Sequence, residues 1–495
     1  MGQDRSTGRR TRLALLVIVL IGLGVRGAYL ASDPYPNPQT LLEGEMAHNI
    51  VAHGRWLEID EGVNPALTRR AEREHRLIDP SEYSRLHGRP LWQAEIFQPV
   101  GSAVLLAGLW QITGGERYLP LQILQGIVDS LIALLVYWIA LQLFKRRSVA
   151  LIAAALYALY LPVAQLTRQP YVDIWGADFT VAIVAIYLKA TISSHRLRWW
   201  LVCGLVTGLG VYFRPNLVIL PPILMLATLA AAGWRETLRR GLIVVAMVSL
   251  LLAPWIVRNF EEFDAFIPTT SGLGETLWEG LGELHNNFGA TFDSKVTRAQ
   301  VHRVAPDVRF ESPAYDDLLL RWGVRAVEQH PGYYVKLLAY RTAESIWLFD
   351  QAWMHRGAAT PFGSGSGPLA FAVAHPLEVA EDALNPVIFA GALFVLLRTW
   401  RQWKREHLIL IAIALSVLVP YILLLVQPRY LYPAEFVYLI WVALGVDHLI
   451  RRFRPRRAVA LPVSPGHDRK IVQRRADDPI ATPPAAPRQR SDARS

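Results

Sequence analysis

The stretch LALLVIVLIGLGVRGAYL, Leu13 to Leu30, is apolar almost throughout and follows directly on Arg9, Arg10 and Arg12. It is too long for the apolar core of a signal peptide and lacks a small-residue cleavage site, so it predicts a retained membrane helix. The rest of the chain fits that solvent. More than half of the 495 residues are hydrophobic, 52%. The single Cys203 lies inside an apolar run, which leaves no disulfide framework and no cysteine metal site. A net charge of +10 could point to nucleic acid, but the arginines cluster beside apolar segments, the pattern of membrane topology. No nucleic-acid partner is expected.

After 13–30, further spans are expected near 118–144, 148–166, 172–190, 199–213, 216–233, 240–257, 384–399, 407–426 and 434–450. The run at 98–113 is short and opens on Gln98-Pro99, so it reads as a helix lying in the interface or as an eleventh span. Charge favours the first reading. If 98–113 does not cross, the clusters at Arg9/Arg10/Arg12, Lys145/Arg146/Arg147, Arg196/Arg198, Arg235/Arg239/Arg240, Arg398/Arg401 and Arg451/Arg452 share one side, the cytoplasm. The expected fold is an all-α polytopic bundle of ten to eleven helices in the plasma membrane, with both termini cytoplasmic. Its parts are a cytoplasmic N-terminus (1–12), an N-terminal bundle (13–257) containing a first outer loop (31–117), and a second outer segment (258–383). C-terminal spans (384–450) and a disordered basic tail (451–495) complete it.

This sidedness gathers unusual polar residues at the outer ends of the spans. The first loop holds Glu43 and Glu45. TRQPYVD places Arg168 and Asp173 between two spans, and YFRPN places Arg214 at the next turn. APWIVRNF sets Arg258 where a helix leaves the membrane, and QPRYLYP sets Arg429 and Tyr430 at the last outer turn. One arginine at a helix end is explained by snorkelling to the headgroups. Four on the side opposite the basic clusters, beside carboxylates, suggest a shared anion, because the planar guanidinium offers phosphate two parallel charge-assisted hydrogen bonds. A phosphate held at the lipid boundary implies a tail left in the bilayer. Asp129 and Asp178 lie within spans, and mid-span Asp129 reads as a structural pairing partner.

These parts suffice for sugar transfer from a polyprenyl-phosphate donor. A carboxylate (Glu45, Glu43 or Asp173) would take the proton of an acceptor hydroxyl, and the arginines would stabilise the leaving phosphate. No metal is required, although a divalent cation could sit on the carboxylates. Glu43 and Glu45 face different directions on a helix, and periodicity leaves the choice open, with Glu45 preferred. The acceptor, whether protein, lipid or glycan, is not legible. In GLGETLWEGLGELHNNFG, residues 272–289, Asn286 and Asn287 read as turn formers. A transporter or flippase of lipid-linked substrates is the main rival. Transporters tend to place charged sites at the midplane between repeated halves, and no matching halves occur here. A catalytically inactive envelope-assembly scaffold is a third reading.

GEMAHNIVAHG (44–54), FQPVGSAVLLAGLWQITGG (97–115), GLVTGLGVYFRPNLVILPP (204–222), LLAPWIVRNF (251–260), PTTSGLGETLWEG (268–280) and PRYLYPAEFVYLIWVALG (428–445) occur in an order that resembles a known group. It is that of the GT-C membrane glycosyltransferases, especially the dolichyl-phosphate-mannose–protein mannosyltransferases and their bacterial relatives. The resemblance implies a many-helix bundle, a lipid-phosphate sugar donor, and inverting transfer outside the cytoplasm. It also implies a first-loop acid at Glu43 or Glu45, a second outer acid at Asp173, and outer arginines at Arg214, Arg258 and Arg429.

Overall fold

A computed structural model describes residues 2–32, 43–59, 85–86, 89–90, 92–170, 172–345 and 376–453. The basic tail after Phe453 and parts of both outer segments lie outside these residues. The described chain is a helical membrane protein. By length and composition six helices can cross a bilayer: Gly8–Ser32, Leu119–Phe144, Asp173–Ile192, Trp234–Phe263, Arg405–Leu424 and Arg429–Phe453. A seventh span forms if Arg147–Ala158 and Leu161–Arg168, bent by 49°, count as one.

Three of the expected spans fall short of that standard, each for a visible reason. Arg196–Phe213 opens on two arginines. The run at 216–233 is broken into a 3-10 turn, Pro215–Ile219, and a helix, Leu220–Ala232, carrying prolines in its first turn. Pro386 lies inside Pro376–Arg398, of which Ala383–Arg398 is the apolar part. All three still pack in the bundle. The run at 98–113 forms a 14-residue helix, Val100–Thr113, about 21 Å long and too short to cross about 30 Å of hydrocarbon.

The long helix Trp234–Phe263 shows how lipid and protein divide its surface. Leu238, Leu242, Val245 and Leu250 are exposed, while Val244, Val248, Leu252, Trp255 and Asn259 are buried. An exposed face of leucine and valine is favourable only against lipid tails. Its buried face meets Gly204 on the neighbouring helix, where an added Cβ would come within 2.6 Å of Met247 Cβ. Small residues at such crossings let the backbones approach closely.

The two segments expected to lie outside the membrane combine helices with short strands and turns. In the first, the helix Glu43–His53 is followed by the strand Leu57–Ile59, which pairs antiparallel with Trp92–Ala94, Leu57 opposite Ala94. Arg85–Leu86 pairs with Arg89–Pro90. In the second, the helices Leu273–Gly280, Ser294–Val304, Pro313–Gln329 and Pro331–Ser345 enclose a core of their own, built on Leu277, Trp278, Tyr315, Leu319 and Leu337. Asp293 and Ser312 cap two of them, accepting from the backbone N–H of Lys295 and Tyr315.

Candidate functional site

Three sequence-distant turns meet around Arg214. The helix Arg196–Phe213 ends at this residue because Pro215 follows and disfavours a helical conformation before it. Arg214 is 6% exposed and Asp173, at the start of its helix, 4%. Arg214 Nη1 donates to Asp173 Oδ1 at 2.6 Å. Its Nε and Nη2 donate to Tyr421 Oη at 3.1 and 2.9 Å. Asn216 Nδ2 also donates to that oxygen, at 2.8 Å. The guanidinium lies over the Tyr430 ring, 5.0 Å from its centroid, and Tyr430 stacks on Tyr421 at 5.0 Å. Arg429 completes the group, with Nε 3.8 Å from Asp173 Oδ2 and a side chain 45% exposed.

Gly176 makes room for this arrangement. It lies one turn beyond Asp173, and the Arg214 side chain crosses the helix over it, so that a Cβ there would strike Arg214 Cδ. The three bonds made by Arg214 leave one N–H on each terminal nitrogen. Counting Arg214, Arg429 and Asp173, the cluster carries one net positive charge. The spacing therefore brought Asp173, Arg214, Arg429 and Tyr430 to one place. Asp173 is held by Arg214. Its geometry suits orienting the arginine.

Arg258 has other partners. Its Nη1 donates to the Glu95 carbonyl at 2.8 Å and to Asn259 Oδ1 at 3.0 Å, and Nη2 reaches the Trp56 carbonyl at 3.3 Å. The guanidinium also lies over Trp255 and Phe263. This arginine fastens the backbone at Trp56 and Glu95 to the helix Trp234–Phe263 rather than joining the Asp173 group. Arg168 ends the 3-10 turn Gln165–Arg168, and its carbonyl accepts from Gln122 Nε2 at 2.6 Å. That turn packs against the Asp173 helix.

Glu45 is buried on the helix Glu43–His53; the Glu43 side chain lies outside the described residues. One turn beyond Glu45, Asn49 Nδ2 donates to the Leu57 carbonyl at 2.8 Å, and His48 Nδ1 meets Glu116 Oε1 at 2.6 Å. Leu57 is paired with Ala94, the residue before Glu95. Glu95 escaped the sequence reading. It is 1% exposed, its Oε1 accepts from the Gln98 backbone N–H at 2.5 Å, and its Oε2 is buried without a hydrogen-bond partner among the described residues. The available signal was an acid just ahead of Gln98-Pro99.

Asp129 is paired structurally inside the bundle. Arg26 Nε donates to its Oδ2 at 2.6 Å and Tyr157 Oη to its Oδ1 at 2.6 Å. Arg26 Nη1 continues to the Ala158 carbonyl, and Asp178 is buried against Asp129. Tyr160 Oη lies within hydrogen-bond distance of Asn385 Oδ1 and, at 2.9 Å, of Glu435 Oε2, fixing the start of the helix that follows Tyr430. Among the described residues no three His, Cys, Asp or Glu side chains converge to hold a metal.

Fold and site define a class, a polytopic helical membrane protein with a cationic cluster at the ends of its spans. Residues 97–257 match the dolichyl-phosphate-mannose–protein mannosyltransferase family, which bears out the resemblance over that segment. The chain is 29% identical over 209 residues to an undecaprenyl phosphate-alpha-4-amino-4-deoxy-L-arabinose arabinosyl transferase of Pectobacterium carotovorum, covering 41% of this chain and 36% of that protein. To the transferase of the same name from Pseudomonas aeruginosa it is 27% identical over 211 residues, with the same coverage of 41% and 36%. The chain thus spans about a third of the length of these curated relatives. Its fold is similar to that of an Archaeoglobus fulgidus oligosaccharyltransferase solved with an inhibitory peptide and a dolichol-phosphate. The TM-score is 0.50 at 14% identity, over 90% of this chain and 51% of that one.

Proposed function

We propose that the protein is a membrane glycosyltransferase that moves a sugar from a polyprenyl-phosphate donor to an acceptor hydroxyl on the extracytoplasmic face. The observation that carries this reading is the Asp173–Arg214–Tyr421 group with Arg429 and Tyr430 beside it. A polyprenyl-phosphate sugar is a phosphodiester with one negative charge, which the single net positive charge of the cluster balances. On transfer the C–O bond from the anomeric carbon to phosphate breaks, and the phosphate gains a second negative charge. Fixed arginines in a partly dry site favour that more highly charged state, so they stabilise the transition state more than the bound donor. Asp173 and Tyr421 keep Arg214 oriented throughout, so little reorganisation accompanies the charge transfer.

Glu45 is the preferred general base, with Glu95 as the second candidate. The base removes the acceptor proton as the oxygen attacks the anomeric carbon opposite the phosphate, which inverts that centre. This chemistry needs no metal; a divalent cation on the outer carboxylates would add charge stabilisation to the leaving phosphate. The named relatives act with undecaprenyl-phosphate-linked aminoarabinose, which supports a C55-type lipid donor. The positive-inside distribution of arginines supports cytoplasmic termini and an outward-facing site.

The test is transfer from a synthetic polyprenyl-phosphate sugar in detergent or nanodiscs, scored as release of the lipid phosphate. Glu45→Gln is expected to lower kcat by about 100-fold to 10,000-fold with little change in donor KM, the range for losing a general base. Glu95→Gln distinguishes the second candidate. Wild-type turnover in both variants would remove the proposed base chemistry.

A further inference from the structure

We propose that the second outer segment contains a separate binding site for an anionic glycan, in a cleft of about 370 Å³. The cleft is lined by Trp278, Trp322, Phe288, Gln300, Arg303 and Arg325 among others, none of which belongs to the Asp173–Arg214 group. Trp278 meets Trp322 edge-on at 5.4 Å and Phe288 at 6.5 Å. These rings form a rigid apolar wall, the kind of surface that packs against the C–H face of a sugar ring.

Two of the lining side chains carry a polar atom with unmet hydrogen-bonding capacity. Trp278 Nε1 and Gln300 Oε1 are buried and have no hydrogen-bond partner among the described residues. The orientation of the Gln300 amide is fixed because its Nε2 donates to the Gly289 carbonyl at 2.8 Å. One group needs an acceptor and the other a donor, and a hydroxyl supplies both. Leaving such groups unpaired is costly, so a ligand that satisfies them binds preferentially to one that does not.

The rim chooses the charge. Arg303 and Arg325 are exposed, and among the described residues no acidic residue lines the cleft. Two guanidiniums beside an aromatic wall select a sugar bearing carboxylate, since planar carboxylates match the guanidinium fork. An acidic peptide would satisfy the rim but has no flat C–H ring face to lie against the indoles. The site is independent of the donor chemistry proposed above.

The experiment measures binding of tetragalacturonic acid to the full chain in phosphatidylcholine nanodiscs, with its methyl ester and a tetraglutamate peptide as comparison probes. The acid is expected to bind saturably, with the ester and the peptide each weaker by about tenfold or more, as lost charge-assisted bonds imply. Arg303→Gln with Arg325→Gln should weaken the acid to the level of the ester and leave the ester unchanged. Trp322→Ala should weaken both sugars. Both arginine side chains are exposed, so the double variant leaves the segment's core intact. Absence of saturable uronate binding, equal binding by wild type and the arginine double variant, or tighter binding of the peptide than of the uronate would each overturn the proposal.

Discussion

Arg214 and Asp173, 41 residues apart in sequence, form a buried ion pair with Nη1 2.6 Å from Oδ1. Tyr421 takes two further donors of the same guanidinium, so the arginine is held from two sides and keeps only its remaining N–H groups for a ligand. Removing Asp173 as Asp173→Ala strands a buried cation. The expected cost is about 3–5 kcal/mol of stability, the usual result of breaking one side of a buried pair. Asp173→Asn, which still accepts a hydrogen bond, should cost clearly less. Thermal unfolding in a fixed detergent compares the two; equal melting of both variants with wild type would contradict the buried pair.

Gly176 is expected to be as sensitive as a charged residue. A methyl group at this position collides with Arg214 Cδ, so Gly176→Ala should displace the guanidinium without altering any ionisable group. Donor KM should rise and transfer should fall by about tenfold or more, since small misplacements of a positioning group are costly. Gly108→Ala, where an added Cβ has no neighbour within 4 Å, is the matched control and should behave as wild type. Equal kinetics in both variants would show that the crossing over Gly176 does not position Arg214.

Asp129 belongs to the scaffold. With Arg26 and Tyr157 both bonded to it inside the bundle, Asp129→Ala leaves a buried guanidinium without its counter-charge. The variant should lose about 3–5 kcal/mol of stability, while activity per folded molecule stays close to wild type. Measuring turnover against the folded fraction separates the two effects. A stable but inactive Asp129→Ala would move this residue into the catalytic machinery.

Much of this was legible in the sequence. Apolar runs gave the long helices, and the prolines beside Arg214 and Arg429 marked two of the turns that meet. Tyr421 was hidden because it lies inside an apolar run, where a tyrosine reads as packing. Arg258 had the same outer-turn signature as Arg214, yet its donors go to the carbonyls of Glu95 and Trp56, and backbone acceptors leave no trace in side-chain pattern. The Arg26–Asp129 bond joins residues 103 apart, and helix neighbours at that separation are set by tertiary packing. The helix near 199–213 begins three residues earlier than expected and so takes in Arg196 and Arg198, and the run at 216–233 read as one span because hydropathy outweighed its proline-broken turn.

The helical segment 273–345 should respond to pH. Burial pushes Glu275 up to about 8, with Glu279 and Asp316 adding to the shift and Arg298 opposing it. Burial likewise raises Glu279 and Glu283 to about 7, against an ordinary 4.5. The folded state therefore binds more protons than the unfolded state between about pH 4.5 and 8, so this contribution to stability is full at the acidic end and lost as pH rises. Melting temperature should fall across that window, and Glu275→Gln should flatten the slope. A melting temperature that rises from pH 5 to 8 through this segment would contradict the buried acids.

The most direct measurement is binding of undecaprenyl phosphate to the purified chain in nanodiscs, read by native mass spectrometry, for wild type and Arg429→Gln. Arg429 is 45% exposed in its side chain, so its removal tests the ligand without a buried charge left behind. The account predicts a saturable lipid-phosphate adduct in wild type, weakened by about tenfold or more when the charge-assisted bond is lost. An adduct of equal affinity in both proteins, or none in wild type, would contradict a lipid phosphate held by this cluster.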